Sequence, residues 1–256
     1  LNFKAAKFKA EEARIRRMAE LACEKKRKFE TIKVSDGIKN FVSTQMKSFN
    51  CSAHDEAHCY RVAKSASLIA QSTDGADVNL TFIAGLLHDV LDSKLQTPEE
   101  ALKSEENLRQ LLKSPDQNMT NKQVDSILII VKSVGFKNMI KDDFDPDELP
   151  LEYKCVQDAD LLDAIGAIGI SRCYAFNGKK NRPMFDVKEN FSEKFDAEEY
   201  KKTLKSTTDS AVDHFFDKLL KIKGMMLTKE GKKMAIERQK FMFSFLKQLE
   251  NELYED

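Results

Sequence analysis

The sequence has little glycine and proline, with nine and five residues of each among 256. These are the residues that most strongly interrupt helices, so their scarcity leaves long stretches without a break. The helix-forming residues Lys, Glu, Leu and Ala dominate instead. An all-α protein is therefore the first expectation.

The sequence also lacks paired cysteines, an excess of one charge and a long apolar run. Its five cysteines form no Cys-x-x-Cys pair, which predicts reduced thiols in a cytoplasmic protein. Lys and Arg (42) balance Asp and Glu (42), so no basic field for nucleic acid is expected. No apolar run approaches about 18 residues, and no charged-then-apolar leader is present, so neither a membrane span nor a secretory signal is expected.

The first 33 residues are rich in charge and carry only a sparse apolar stripe. This pattern predicts a charged helix without a deep core face. We therefore predict a charged helical extension over residues 1–48 and a main domain over residues 49–256. Hydrophobic residues make up 41% of the sequence, which is enough to give that domain a sizeable core.

Apolar residues at helical spacing predict the helices of the main domain. The helices that matter for function are predicted over residues 54–72, 80–91, 151–176, 210–226 and 228–254. Asp77 and Asn79 precede the second of these and are candidate N-terminal caps.

Three of the four histidines, His54, His58 and His88, lie within one stretch of the chain. His54 and His58 are four residues apart, so they share one face of a helix. His88 is followed by Asp89, and both side chains can reach a point beside their helix. Buried histidines satisfied by carbonyl oxygens are the alternative, but the clustering beside acidic residues favours a functional site.

The predicted helix over residues 151–176 is apolar except for three acids, Asp158, Asp160 and Asp163. A buried carboxylate is costly unless a cation offsets its charge. Two imidazoles and two carboxylates drawn from three helices would form a mixed nitrogen and oxygen shell. Such a shell suits Mn²⁺, Fe²⁺, Co²⁺ or Ni²⁺ and leaves positions open for water and substrate. The spacing alone leaves open whether Asp158 or Asp160 is the fourth ligand.

A zinc protease is the competing interpretation of the stretch His54-Asp55-Glu56-Ala57-His58. Its His-x-x-x-His spacing fits, but the protease motif has Glu directly after the first His, where this sequence has Asp55. The cysteines also lack the spacing of a closed structural zinc site. We therefore reject the protease interpretation.

The residues His58, His88-Asp89 and Asp160 resemble the H…HD…D motif of the HD-domain metal-dependent phosphohydrolases. The similarity extends in order over roughly residues 50–250, through HDEAHCYRV, LLHDVLDSK, QDADLLDAIGAIGISR and HFFDKLLKIKGMM. These stretches look like the small single-domain branch described as nucleotide pyrophosphohydrolases. The sequence departs from the pattern at Leu161, where many relatives carry Arg, and at Gln239, where many carry His.

The resemblance implies roles for individual residues. The metal ligands would be His58, His88, Asp89 and Asp160. Asp158 would be a supporting carboxylate behind them. Residues that could orient or deprotonate the attacking water are His54, Asp55 and Asp92, with helix capping and hydrogen-bonded support as the alternative. Candidate substrate-binding residues are Arg61, Lys94, His214 and Lys218.

The resemblance implies an all-α HD-domain helical bundle that binds one divalent ion, with Mn²⁺ preferred over Fe²⁺, Co²⁺, Ni²⁺ or Mg²⁺. The predicted reaction is hydrolysis of a nucleoside or deoxynucleoside triphosphate to the monophosphate and pyrophosphate. A phosphomonoesterase and a cyclic-nucleotide phosphodiesterase are the alternatives within the enzyme class. Outside that class, Leu161 and Gln239 motivate a metal-stabilised binding module that has lost catalysis. The expected partner is a nucleotide or another phosphorylated small molecule, without nucleic acid or membrane, and the sequence is compatible with a homodimer.

Overall fold

The structure, a computed structural model, describes residues 12–13, 16–17, 32, 34–49, 55–91, 97–185 and 210–254. These residues form α-helices and short 3₁₀ helices, with no β-strand among them, so the all-α prediction is confirmed. No helix in this part of the chain is both long and apolar enough to cross a membrane. The cytoplasmic location stays a prediction.

The α-helices are numbered in chain order. They are α1 (Asp36–Phe49), α2 (Glu56–Gln71), α3 (Val78–Leu87), α4 (Pro98–Leu112), α5 (Asn121–Ser133), α6 (Phe136–Met139), α7 (Leu151–Asp163), α8 (Gly166–Lys179), α9 (Ala211–Asp217) and α10 (Lys229–Tyr254). Short 3₁₀ helices span Pro115–Gln117, Pro146–Glu148 and Leu219–Met225.

The chain divides into two units, Leu1–Ser35 and Asp36–Asp256. Helix α1 belongs to the second unit, where it packs against α2 and α4. The first unit lies mostly outside the described residues, as does the charged helix predicted there. The domain boundary expected after residue 48 therefore stays a prediction.

Helices α2, α3 and α7 pack against one another and form the centre of the second unit. Every residue of helix α3 from Leu80 to Leu87 is buried, which explains its continuous apolar sequence. Full burial of each large apolar side chain stabilises the fold by about 1.5–3 kcal/mol. The three helices are thereby fixed relative to one another, together with the residues at their ends.

Helix α3 begins at Val78, two residues before the predicted start, and ends earlier than predicted. Asn79, the other candidate cap, lies inside the helix. Asp77 Oδ1 accepts hydrogen bonds from the backbone N–H groups of Asn79 and Leu80, which confirms Asp77 as the cap. The helix ends at Leu87, and His88 to Leu91 form a turn, so the predicted helical end at residue 91 is wrong. Apolar residues continue past Leu87, which is why periodicity alone extends the helix.

Residues 151–176 form two helices, so the prediction of one continuous helix is also wrong. Helix α7 ends at Asp163, Ile165 has an extended backbone, and α8 begins at Gly166 with φ of +76°. Glycine adopts this left-handed conformation without the penalty that a Cβ atom imposes. Hydrophobic spacing carries no information about a positive φ, so the sequence pattern does not predict the break between α7 and α8. A similar correction applies to residues 210–226, where α9 is followed by the 3₁₀ helix Leu219–Met225.

Helices α2 and α3 approach closely at Gly85, where an added Cβ would lie 2.9 Å from the Cα of Ala63. We expect Gly85→Ala to lower the free energy of unfolding by about 1–3 kcal/mol, because the backbones must separate. The carbonyl of Gly85 accepts a hydrogen bond from His88, so the shift should also disturb that side chain. Urea unfolding measures the loss.

The matched control for this substitution is Gly178→Ala in α8, where an added Cβ meets nothing within 4 Å. Alanine should raise stability there by about 0.5–1 kcal/mol through its higher helix propensity. Equal effects of the two substitutions would contradict the close approach of α2 and α3.

Candidate metal centre

His58 lies in the first turn of α2 because Asp55 starts the helix there. Asp55 Oδ1 accepts the backbone N–H of His58 at 2.7 Å, which is the geometry of an N-terminal cap. The His58 side chain is directed into the protein and is only 1% exposed. The cap therefore determines where the imidazole enters the core.

His88 and Asp89 lie in the turn that follows α3. His88 Nδ1 and the carbonyl oxygen of Gly85 are 2.8 Å apart, which orients the imidazole from the last turn of its own helix. The side chain of His88 is buried, whereas the carboxylate of Asp89 is 15% exposed. The end of α3 thus presents one nitrogen and one carboxylate to the same region.

The predicted ligands converge, although α2, α3 and α7 supply them separately. His58 Nε2 and His88 Nε2 are 3.2 Å apart, and Asp160 Oδ1 on α7 lies 3.5 and 3.8 Å from them. The two oxygens of Asp89 lie 3.4 Å from His58 Nε2 and 3.3 Å from His88 Nε2. Ligands bound at about 2.1 Å from one ion lie roughly 3 Å or more from each other. The spacing therefore fits a single divalent ion.

The hydrogen bonds of the two imidazoles also fit a metal. The Nδ1 atoms face acceptors, Asp163 Oδ2 at 2.7 Å for His58 and the Gly85 carbonyl for His88. We infer from these partners that Nδ1 of each ring carries a proton, so Nε2 is the nitrogen available to a metal. The two Nε2 atoms, 3.2 Å apart and beside two carboxylates, are therefore placed to bind one cation. The donor set is suited to a divalent ion that accepts nitrogen and oxygen ligands.

The pKa shifts in this cluster reflect the close approach of imidazoles and carboxylates. Burial lowers the pKa of His58, but hydrogen bonds with the surrounding carboxylates, Asp160 foremost, raise it well above its usual value. Burial raises the pKa of Asp160, whereas the hydrogen bond with His58 and the nearby charge of His88 lower it below its usual value. The two shifts favour an ionised Asp160 carboxylate beside a positively charged group, which is the charge arrangement that a bound cation requires.

Asp158 and Asp160 face different surroundings, although only Ala159 separates them on α7. Asp158 accepts hydrogen bonds from the backbone N–H of Leu227 and from both the N–H and the hydroxyl of Thr228. These contacts connect α7 to the start of α10, and Asp158 is fully buried there. Asp160, by contrast, belongs to the group of potential ligand atoms formed with His58 and His88. The geometry therefore favours Asp160 over Asp158 as the fourth ligand.

Asp163 belongs to the site, although the sequence analysis predicts no role for it. It lies on α7 one turn after Asp160, and its Oδ2 accepts from His58 Nδ1. The Nε and Nη2 of Arg61 donate to its two oxygens at 2.8 and 3.0 Å, and Arg172 Nη1 donates at 2.8 Å. Burial raises its pKa, but His58 and the two arginines hold that pKa far below its usual value. Its position three residues after Asp160 in an apolar helix was the signal available in the sequence.

The ligand cluster opens onto a cavity of about 370 Å³. Basic residues form part of its lining: Lys132, Lys137, Arg172 and Lys218. Lys218 Nζ lies 4.4 Å from the centre of the Phe136 ring, a cation–π arrangement. Apolar residues form another part: Leu91, Val131, Val134, Leu161 and Ile222. Acidic ligands and basic side chains thus share one cavity with an apolar wall.

Several predicted site residues line a different cavity or lie outside the residues that the structure describes. His54, Asp92 and Lys94 lie outside the described residues, so their roles stay predictions. Asp55 and Arg61 line a second cavity of about 260 Å³, together with Arg172 and Phe176. The observed contact of Asp55 is the hydrogen bond that caps α2. Helix capping is the alternative to a catalytic role that the sequence analysis gives for this residue.

His214 is predicted to bind substrate together with Lys218, four residues later. Lys218 lines the larger cavity, whereas His214 is not among the residues that line it. Burial and the charges of Lys218 and Arg182 lower the pKa of His214 to about 4, so the imidazole is neutral. Its substrate-binding role stays a prediction.

The family model of the HD domain matches residues 56–165, a segment that contains all four predicted ligands. The chain is 32% identical over 222 residues to the uncharacterized protein YpgQ of Bacillus subtilis, covering 87% of this chain and 95% of that protein. A crystal structure of YpgQ in complex with ADP matches with 29% identity and a TM-score of 0.60, over 86% of this chain and 96% of that chain.

Two further crystal structures are similar over comparable lengths. A protein from Lactobacillus plantarum shares 30% identity with a TM-score of 0.62, over 88% of this chain and all of that chain. An HD-superfamily hydrolase from Bacillus thuringiensis shares 28% identity with a TM-score of 0.59, over 86% of this chain and 97% of that chain. The fold of this chain is therefore similar to the folds of all three proteins over most of its length.

Proposed function

The chain belongs to the HD-domain family, and from this premise we propose that it is a divalent-metal-dependent phosphohydrolase acting on nucleotides. The proposed reaction is hydrolysis of a nucleoside or deoxynucleoside triphosphate to the monophosphate and pyrophosphate. The observation that carries the proposal is the opening of the His58, His88 and Asp160 cluster onto a cavity lined by basic residues.

Mn²⁺ is the preferred ion in this proposal, with Fe²⁺, Co²⁺, Ni²⁺ and Mg²⁺ as alternatives, because the donor set mixes nitrogen and oxygen. His58 and His88 would bind it through Nε2, and Asp89 and Asp160 through carboxylate oxygens. A divalent ion bound there lowers the pKa of a water molecule and polarises a phosphoryl oxygen.

The other walls of the cavity suit the remaining parts of a nucleotide. Lys137, Arg172 and Lys218 would bind phosphate oxygens, since hydrolysis of a polyphosphate places negative charge on those oxygens. The apolar residues would contact the nucleoside, and the volume of about 370 Å³ is within the usual range for small-molecule sites. The ADP complex of the relative YpgQ supports a nucleotide as the ligand class.

The proposed general bases are the predicted residues His54, Asp55 and Asp92, which would orient or deprotonate the attacking water. The structure describes one of them, Asp55, and its carboxylate accepts the backbone N–H of His58. In the proposal, this hydrogen bond would keep the Asp55 carboxylate beside His58, the first metal ligand along the chain.

The departures at Leu161 and Gln239 have different consequences. Gln239 is buried and its Nε2 donates to the backbone oxygen of Leu220, so its amide has a structural partner. Leu161 lines the cavity, where many relatives would contribute a positive charge. The departure at Leu161 thus affects the cavity wall that would contact substrate, whereas all four proposed metal ligands are present. This arrangement favours an enzyme over a binding module.

A substrate panel tests the proposal. Purified protein with Mn²⁺ is incubated with triphosphates, diphosphates, monophosphates and cyclic nucleotides, and the release of pyrophosphate and orthophosphate is measured. We expect pyrophosphate from at least one triphosphate and loss of turnover after chelation. Orthophosphate from monophosphates would identify a phosphomonoesterase, and ring opening would identify a cyclic-nucleotide phosphodiesterase. No turnover by protein that binds stoichiometric metal would favour the binding module.

A further inference from the structure

We infer that Asp163 and Arg61 are positioning residues for the metal: Arg61 fixes the Asp163 carboxylate, and that carboxylate fixes the tautomer and orientation of His58. The inference rests on the proposed function only in taking His58 as a metal ligand. It assigns Arg61 a role other than the substrate contact that the sequence predicts.

The first step is the contact between Asp163 and His58. Asp163 Oδ2 lies 2.7 Å from His58 Nδ1, the nitrogen on the side of the ring opposite the ligand cluster. Asp163 is 4% exposed and His58 is 1% exposed, so water does not compete for this hydrogen bond. A carboxylate that accepts the Nδ1 proton keeps Nε2 free to bind a metal and makes it a better ligand.

The second step is the contact between Asp163 and Arg61. The Nε and Nη2 of Arg61 donate to Oδ1 and Oδ2, so the guanidinium contacts both oxygens at once. This two-point contact prevents the carboxylate from rotating, which a single hydrogen bond would allow. Arg172 Nη1 adds a third contact from α8, through Oδ2 at 2.8 Å. The carboxylate is thereby fixed by residues of two helices other than its own.

The third step is the placement of Arg61 relative to the cavities. Arg61 lines the smaller cavity with Asp55 and Phe176, and it is not among the residues that line the larger cavity. Arg172 lines both cavities, so a substrate contact is open to it. Asp163 lies between Arg61 and His58, and through it Arg61 acts on the imidazole.

The test measures metal binding without nucleotide. Isothermal titration of the metal-free protein with Mn²⁺ gives the Kd, and the visible absorption of the Co²⁺-loaded protein reports the coordination of the imidazole. We expect Asp163→Asn to raise the Kd by about 10- to 100-fold and to change the Co²⁺ spectrum. Arg61→Gln should raise the Kd by about tenfold, at the low end of that range, because Arg172 still contacts the carboxylate.

The matched controls are Asp125→Asn and Arg109→Gln. These two residues form an Asp–Arg pair at 3.0 Å between α4 and α5, and Asp125 is exposed. The same chemical changes there should leave the Kd and the Co²⁺ spectrum as in the wild type. A merely structural role of Asp163 would lower thermal stability without altering the spectrum of the folded fraction.

An unchanged Kd for folded Asp163→Asn would overturn the inference. If that variant does not fold, Arg61→Gln decides, because Arg61 is half-buried and its replacement leaves the contact between Asp163 and His58 in place. An Arg61→Gln protein with wild-type metal affinity and a raised KM for nucleotide would instead make Arg61 a substrate contact and overturn the inference. Absence of nucleotide turnover by wild-type protein would defeat the proposed function while leaving these metal measurements valid.

Discussion

Replacement of both His88 and Asp89 by alanine is expected to abolish stoichiometric metal binding and to lower kcat/KM by about 10³-fold or more. The two residues would supply half of the ligand set, and the ion is expected to contribute several kcal/mol of transition-state stabilisation. Each 1.36 kcal/mol corresponds to a factor of ten in rate. Elemental analysis after dialysis measures the bound metal, and pyrophosphate release measures turnover.

Asp77→Ala is the control for this double replacement, because it removes an aspartate from the opposite end of the same helix. Asp77 caps α3 through the backbone N–H groups of Asn79 and Leu80. Its loss should lower stability by about 1 kcal/mol and leave metal content unchanged. Wild-type turnover by the His88→Ala/Asp89→Ala protein would rule out the mechanism, since no other described cluster could replace these ligands.

The ligand cluster could be predicted because helical position and chemical cost are readable from sequence. An acid in an apolar helix needs a partner, and Asp160 is such an acid. A consecutive His88-Asp89 pair after a buried helix needs one as well. The structure brings both to His58: the two Nε2 atoms are 3.2 Å apart, and Asp160 Oδ1 lies 3.5 and 3.8 Å from them. Periodicity identified the helices that carry them, while the resemblance singled out Asp160.

The role of Asp163 could not be predicted, because its partners are distant in sequence. His58 and Arg61 precede it by 105 and 102 residues, and nothing local indicates that their side chains meet it. Arg61 is a charged residue in a stretch that resembles the family, so the sequence analysis predicts that it binds substrate. The structure shows Arg61 donating to the buried carboxylate of Asp163, while its substrate contact stays a prediction. Pairing between helices is a tertiary property that single-sequence periodicity does not contain.

The break between α7 and α8 shows a second limit of the sequence pattern. The apolar spacing continues through Gly166, where the backbone adopts a positive φ. The change of direction allows Arg172 on α8 to donate to both the backbone oxygen and the side chain of Asp163. The turn at Gly166 thus precedes the helix that places Arg172, a residue of the cavity lining, against Asp163.

Lys218 is the basic residue in the cavity for which we expect the largest effect on turnover. It follows α9 directly, and its Nζ lies over the Phe136 ring, which is also part of the cavity lining. We expect Lys218→Met to lower kcat by about 10²-fold, because a fixed cation stabilises charge that develops on phosphoryl oxygens. The Kd for Mn²⁺ should not change, since none of the proposed metal ligands is altered. Pyrophosphate release at saturating Mn²⁺ measures the effect.

Lys223→Met is the matched control, because Lys223 is an exposed lysine in the 3₁₀ helix that follows Lys218. It should have the kcat of the wild type. Lys218→Arg should recover part of the lost rate, because it restores the charge with a different hydrogen-bonding geometry. Loss of the cation–π contact alone would cost only about 0.5–2 kcal/mol of stability. A Lys218→Met protein that is less stable but turns over at the wild-type rate would therefore place Lys218 in the fold and outside the chemistry.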